Sequence, residues 1–340
     1  MRMQSLSDLF TRFAERYFKD TSPLYERLSL HIAGDPELLE LASHAREGQL
    51  QPNMLFGAVH YMLLRGAVHP LRYFYPSLHG NPGDPALAAA PFKDFCLAFR
   101  DEIIRLMAGK RVQTNEVNRC AFLYPAFCSI YRQTGKPLAL IEVGTSAGLQ
   151  LLWDQYGYSY GTGDVYGSAA AELHLESEPR GGKKPFLLLN SPPVSSRIGI
   201  DLHVNDLNQE EDLLWLKALI WPEHKKRRMN LEKAAACLKT RPVQLIEGDA
   251  IELISGVAAT VPAKAALCIF HTHVANQFSA EAKQEWNERL QALGKQRDFY
   301  HLYNNMDDMN LHLDAYRDGR LHPLTIAETE SHGRWFTWLI

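Results

Sequence analysis

The sequence predicts an α/β protein: a mostly parallel sheet with a terminal β-hairpin, a helical N-terminal domain and a β-rich insertion. Three observations carry that expectation. The first 135 residues show apolar positions at helical spacing. After Pro137 short apolar runs alternate with helical patterns, which is the signature of strands joined by crossover helices. Between them, residues 157–198 are rich in Gly, Tyr, Pro and Ser.

In the N-terminal part, Leu6, Leu9, Phe10, Phe13, Tyr17 and Phe18 lie on one helical face. Met54 to Leu64 and Phe92 to Met107 read as further helices, separated by the loop Asn81 to Pro85. Asn115 to Tyr131 reads as the last helix, with Thr114 at its N-cap. The domains are therefore expected at 1–135 and 136–340, the latter containing the insertion 157–198.

Core strands are expected at Leu138–Val143, Gly199–Val204, Val243–Glu247, Ala265–Phe270 and Phe299–Tyr303. Ala147–Tyr156, Asp206–Trp221, Pro222–Lys239 and Ser279–Leu293 read as helices. Pro185–Asn190 reads as a strand inside the insertion, and Leu324–Ala327 with Arg334–Leu339 as the final pair.

The formal net charge of −3 argues against a general polyanion binder. The longest basic run, Lys225 to Arg228, reads as a solvated helix face. Cys96, Cys120, Cys128, Cys237 and Cys268 have no C-x-x-C spacing and read as free thiols. No stretch approaches the roughly 20 apolar residues of a membrane helix, and the N-terminus carries Asp8, Glu15 and Asp20, unlike a signal peptide. A cytoplasmic protein acting on a small molecule is expected, with neither nucleic acid nor membrane as partner.

The segment LALIEVGTSAGLQLLWDQY, from Leu138 to Tyr156, closes a strand and opens a helix. Its Gly-rich turn admits three functional readings. In a nucleotide loop of the methyltransferase type, Gly144 and Gly148 admit the amino-acid part of S-adenosylmethionine, with Thr145 and Ser146 between them, and Glu142 contacts the ligand or orients the loop. In a nucleophile elbow, Ser146 attacks an acyl carbon, with Asp249 and one of His271, His273 or His332 as partners. A dinucleotide fingerprint does not fit, since Ser146 and Leu149 occupy glycine positions. The plain alternative is a turn that only packs a helix on a strand. Position decides in favour of the nucleotide loop, because the preceding residues are helical and several strands precede a hydrolase elbow.

Ligands in such sheets sit beyond the carboxyl ends of the strands. Asp201 ends the second strand, where it would accept ribose hydroxyls. Asp249 and Ala250 come after the third, near an adenine, with helix capping as Asp249's other role. His271, His273 and His332 gather where a group would be transferred and are candidate general bases. His271 and His273, with His301 or His332, are a weaker metal reading. Asn115, Glu116 and Arg119 would close over the ligand from the last helix.

The ordered set VQTNEVNRC, LIEVGTSAGLQLLWDQYGYSYG, RIGIDLHVND, WLKALIWPEHKKRRMNLEKA, IEGDA and HGRWFTW resembles the bacterial family called domain of unknown function 2332, from about Asp8 to the C-terminus. The resemblance implies a Rossmann-like core of the S-adenosylmethionine-dependent methyltransferase kind behind a helical region. It carries no established reaction. Its motifs fall on Asn115, Glu116, Arg119, Glu142, Gly144, Ser146, Gly148, Asp201, Asp206, Asp249, His332 and Trp335. The family loop commonly has Ala where Thr145 stands. Methyl transfer to a small molecule is the function expected; hydrolysis through Ser146, or a binding module without chemistry, are the alternatives.

Overall fold

The computed structural model describes residues 2–113, 115–241 and 243–340. Thr114, read as a helix N-cap, lies outside them. Contacts divide the chain into two compact units: Met1–Thr114 with Asn208–Met229, and Asn115–Leu207 with Asn230–Ile340.

The first unit is helical. Its helices include Pro23–Ala33, Pro36–Ala42, Gln51–Arg65, Ala89–Ala98, Arg100–Gly109 and Glu210–Ala218. Pro23 and Pro36 each stand after a capping side chain: Ser22 accepts from Tyr25 N and Asp35 from Glu37 N and Leu38 N. Phe10, Phe18, Tyr25, Phe56 and Trp215 are among its buried core residues, and the rings of Tyr25 and Phe56 stack at 4.2 Å. The run Phe92–Met107 is two helices, broken at Phe99.

The second unit carries thirteen described strands: β1 (Leu138–Val143), β2 (Gly157–Ser159), β3 (Val165–Gly167), β4 (His174–Glu176), β5 (Glu178–Arg180), β6 (Val194–Asp201), β7 (Gln244–Glu247), β8 (Ala266–Thr272), β9 (Phe299–Asn304), β10 (Asn310–Arg317), β11 (Arg320–His322), β12 (Thr325–Thr329) and β13 (Trp335–Trp338). The large mixed sheet is ordered β5-β13-β12-β10-β9-β8-β1-β6-β7, with β11 on β10. β7, β6, β1, β8 and β9 are parallel. Their order reverses at β1: the chain first builds toward β6 and β7, then returns to lay β8 and β9 on the other side. β10, β12 and β13 then form an antiparallel meander. The insertion contributes a small sheet, β3-β2-β4.

β1 and β8 are buried at every position, as parallel strands covered on both faces require. Leu267 and Ile269 join Trp286 and Leu290 of the helix Ala280–Gly294 and Ile254 of the helix Ala250–Thr260. On the opposite face Phe270 meets Phe127 of the helix Cys120–Thr134 at 5.5 Å, and Phe127 stacks on Trp153 at 4.4 Å.

Several expected elements differ. The turn after β1 opens into a 3-10 helix, Leu149–Gln155, rather than an α-helix from Ala147. Residues 115–131 begin with a 3-10 turn, Val117–Arg119, and become α-helical only at Cys120. Pro185–Asn190 joins no ladder; it is held by single bonds, Tyr124 Oη to Leu188 O at 2.6 Å and Gly167 N to Leu189 O at 2.9 Å. β10 is an element absent from the expected set. Among the described residues no helix is long and apolar enough to cross a membrane.

Candidate functional site

The loop after β1 is shaped by left-handed backbone. Gly144, Ser146 and Gly148 have φ of 70°, 54° and 78°. A Cβ on Gly144 would lie 2.2 Å from Val274 Cγ2, and one on Gly148 would lie 2.9 Å from Val243 Cγ2. Both glycines are therefore demanded by packing as well as by φ. Gly144 abuts a residue just beyond the end of β8, so the loop sits where the strand order reverses.

The loop is fastened from several sides. Thr145 Oγ1 donates to Glu142 Oε2 at 2.6 Å, and Asn115 Nδ2 to Thr145 O at 3.0 Å. Ser146 N donates to Asp201 Oδ2 at 2.7 Å, while His203 N donates to Asp201 Oδ1 at 3.0 Å. Asn205 Nδ2 donates to Ser146 Oγ at 2.9 Å. Burial raises the pKa of Glu142 to about 8, against the Thr145 bond, with Asp201 adding and Arg119 opposing. Glu142 is thus a loop-orienting residue. Asp201 is half-buried, and each of its carboxylate oxygens accepts from one backbone amide, that of Ser146 or of His203.

The segment 115–119 ties this loop to the turn between β12 and β13. Arg119 Nε donates to Ser331 O at 2.9 Å, and its Nη1 lies 3.3 Å from Thr272 Oγ1 and 3.4 Å from Thr272 O. Gln150 Nε2 donates to Glu116 O at 3.3 Å and to Thr272 Oγ1 at 3.2 Å. Asn118 Nδ2 reaches Gly333 O at 2.9 Å. Glu116, 3% exposed, places Oε2 3.2 Å from Nδ1 of His332, whose side chain is 30% exposed. The contact has ion-pair separation without the alignment of a regular hydrogen bond.

Two further left-handed residues end neighbouring strands: His273 after β8, φ 56°, and Asn305 after β9, φ 53°. Non-glycine residues held in this region store strain and gather at functional sites. His273 N donates to Asn304 Oδ1 at 3.1 Å, and the Asn305 amide nitrogen lies 2.9 Å from His273 Nδ1. Burial lowers the His273 pKa to about 3, helped by Arg119 and His332 and opposed by Glu330.

Residues 7–338 match the family described as an uncharacterized protein conserved in bacteria, DUF2332. The chain belongs to this family. No curated protein and no solved structure shows detectable similarity to it.

In this DUF2332 chain Asn115, Glu116, Arg119, Glu142, Gly144, Thr145, Ser146, Gly148, Asp201, His273 and His332 share one edge of the sheet. Asp249 is exposed at the end of β7 and caps its helix, accepting from Ile251 N at 2.8 Å, with Ala250 as the first helical residue. Trp335 instead carries the Arg180 guanidinium on its ring, 4.5 Å from the centroid. His271 also stays apart. Its Nε2 meets His301 Nε2 at 3.1 Å, and its ring packs near Trp286 and Tyr303. Among the described residues no three His, Cys, Asp or Glu side chains are grouped to hold a metal. Gln150, Asn205 and Glu330 join the site without any signal in the sequence; nothing in single polar residues marks which ones a fold brings together.

Burial lowers the pKa of His271 to about 3 and drives His301 down as well, with His271 and His312 adding to the latter. The unfolded chain then binds more protons than the folded one between pH 6.5 and 3. The contribution of these two histidines to stability should fall as pH drops through that window and hold steady above it. Urea midpoints from pH 8 to 4 test this; the acid loss should shrink in His271→Phe.

Proposed function

We propose that this protein binds S-adenosylmethionine at the loop Glu142–Gly148 and transfers its methyl group to a small molecule. The observation that carries this reading is the loop's place at the reversal of strand order, with Asp201 at the end of the adjacent β6. Open α/β sheets bind ligands at that point. Asp201 would accept the ribose hydroxyls and Asp249 the adenine amino group. Glu142 acts indirectly, holding the loop through Thr145. The bound cofactor would supply an electrophilic methyl group.

The chain's own residues then position and deprotonate the acceptor. Glu116 stands at ion-pair distance from Nδ1 of His332, a charge that would favour the ring proton there and leave the other nitrogen to act as a base. Ser146 is a poor nucleophile by contrast: it is 4% exposed and its hydroxyl accepts from Asn205 rather than meeting an imidazole.

Native mass spectrometry after incubation with S-adenosylhomocysteine tests the proposal. One bound equivalent is expected; no adduct, with adenosine and S-adenosylmethionine also failing, contradicts it.

A further inference from the structure

Arg119 ties together the residues that precede His273 and His332, namely Thr272 and Ser331, and both Arg119 and His332 are close enough to His273 to oppose its protonation. The two rings are held differently. His332 has the Glu116 carboxyl group 3.2 Å from Nδ1. His273 has the Asn305 amide nitrogen 2.9 Å from Nδ1. A carboxylate draws the ring proton to Nδ1 and leaves Nε2 with a lone pair; an amide N–H donating to Nδ1 leaves the proton on Nε2. Nε2 of His273 is buried and has no hydrogen-bond partner among the described residues.

We propose that the two imidazoles serve one substrate oxygen in opposite ways: His332 Nε2 takes its proton and His273 Nε2–H donates to the oxyanion that results. The acceptor class this selects is a compound with an acidic hydroxyl, a phenol or an enol, which yields its proton to imidazole far more readily than an aliphatic alcohol does. The proposal rests on the methyl-transfer reading only for the bond made after deprotonation.

In the proton transfer the O–H bond breaks, its proton goes to His332 Nε2, and its electron pair stays on oxygen. A bound S-adenosylmethionine would supply the methyl group to that pair, with the carbon–sulfur pair leaving on sulfur as a thioether. His332 then passes its proton to solvent. Throughout, His273 needs to stay neutral to keep donating. Its surroundings favour that: burial and the nearby Arg119 and His332 oppose protonation, against Glu330, which favours it. Both His273 and Asn305 hold left-handed backbone, a strained conformation that gathers at functional sites. A fixed neutral donor beside a separate base is how unlike environments divide acid and base roles between similar groups.

The test needs no methyl donor, so it is independent of whether the cofactor binds. Nitrogen-15 spectra of the imidazoles, assigned with His273→Gln and His332→Gln, should show His273 as the Nε2–H form, unchanged from pH 5 to 8. Titrated with 4-nitrophenol, whose colour reports ionisation, the wild-type protein should bind the yellow phenolate below the pH at which the free probe ionises. His332→Gln should bind the probe uncoloured. His273→Gln should weaken binding of the phenolate by about tenfold or more, the loss expected for one hydrogen bond to a charged group. An Nδ1–H form or an ordinary titration at His273 overturns the proposal. So does colour that persists in His332→Gln, or failure of the wild type to bind the probe. If S-adenosylhomocysteine fails to bind while these results hold, the oxyanion site stands and the methyl-transfer reading falls.

Discussion

Gly144→Ala is expected to destabilise the second unit by about 2–5 kcal/mol. A non-glycine residue at φ 70° costs about 1–2 kcal/mol. The added methyl group would meet Val274 at 2.2 Å, and such overpacking costs about 1–3 kcal/mol more. The two parts are separable. In a Val274→Ala background the steric part should be recovered and the conformational part should remain. Urea denaturation of the four proteins measures both. A single-variant loss below about 0.5 kcal/mol would mean that Gly144 has neither neighbour nor strain as described.

Glu142→Gln is expected to stabilise the protein at neutral and alkaline pH. The folded-state pKa is raised to about 8 from an ordinary value of 4.5, with burial the main cause. Between those values the folded chain keeps a proton that the unfolded chain has lost. Stability therefore falls as pH rises from 4.5 to 8, and burial of the charge costs most above that. Glutamine keeps an oxygen to accept from Thr145 and never ionises. The stability gap between variant and wild type should be near zero at pH 4 and grow to at most about 5 kcal/mol above pH 8, from 1.36 kcal/mol per unit. A gap independent of pH would contradict the burial of an ionisable Glu142.

Much of the sheet is written plainly in the chain. β1 and β8 are short apolar runs with turn residues beyond them, because a strand buried on both faces can carry little else. Asp249 reads as a cap and is one, since capping depends only on residues a few positions away. β10 is legible too: Leu311, Leu313 and Ala315 alternate with His312 and Asp314, whose positions pair with Tyr303 and His301 of β9. Features that depend on distant partners stay hidden. Residues 208–229 belong with the helical unit, through contacts such as Trp215 Nε1 to Arg111 O at 2.7 Å.

The histidines show the same limit at the site. A spacing of two puts His271 and His273 on one face of a regular strand. β8 ends at Thr272, and His273 turns left-handed, so the two rings part. His271 faces Trp286 in the core, whereas His273 joins Arg119 and Asn305 at the edge. Among non-glycine residues left-handed backbone favours Asn, Asp and His, but the residue type alone does not mark which of them adopt it. The pairing of Glu116 with His332, separated by most of the second unit's sequence, leaves none either.

The central claim is that the edge formed by the β1 loop and Asp201 is a nucleoside site. Titration calorimetry with S-adenosylhomocysteine, on the wild type and on Asp201→Asn, tests it most directly. Asparagine keeps the side chain's size and one acceptor oxygen but loses the charge and the second oxygen that a ribose diol uses. Saturable heat at one site is expected in the wild type, and at least about tenfold weaker binding in the variant, with both folded by circular dichroism. Absence of heat in the wild type, or equal affinity in the two proteins, would contradict the claim.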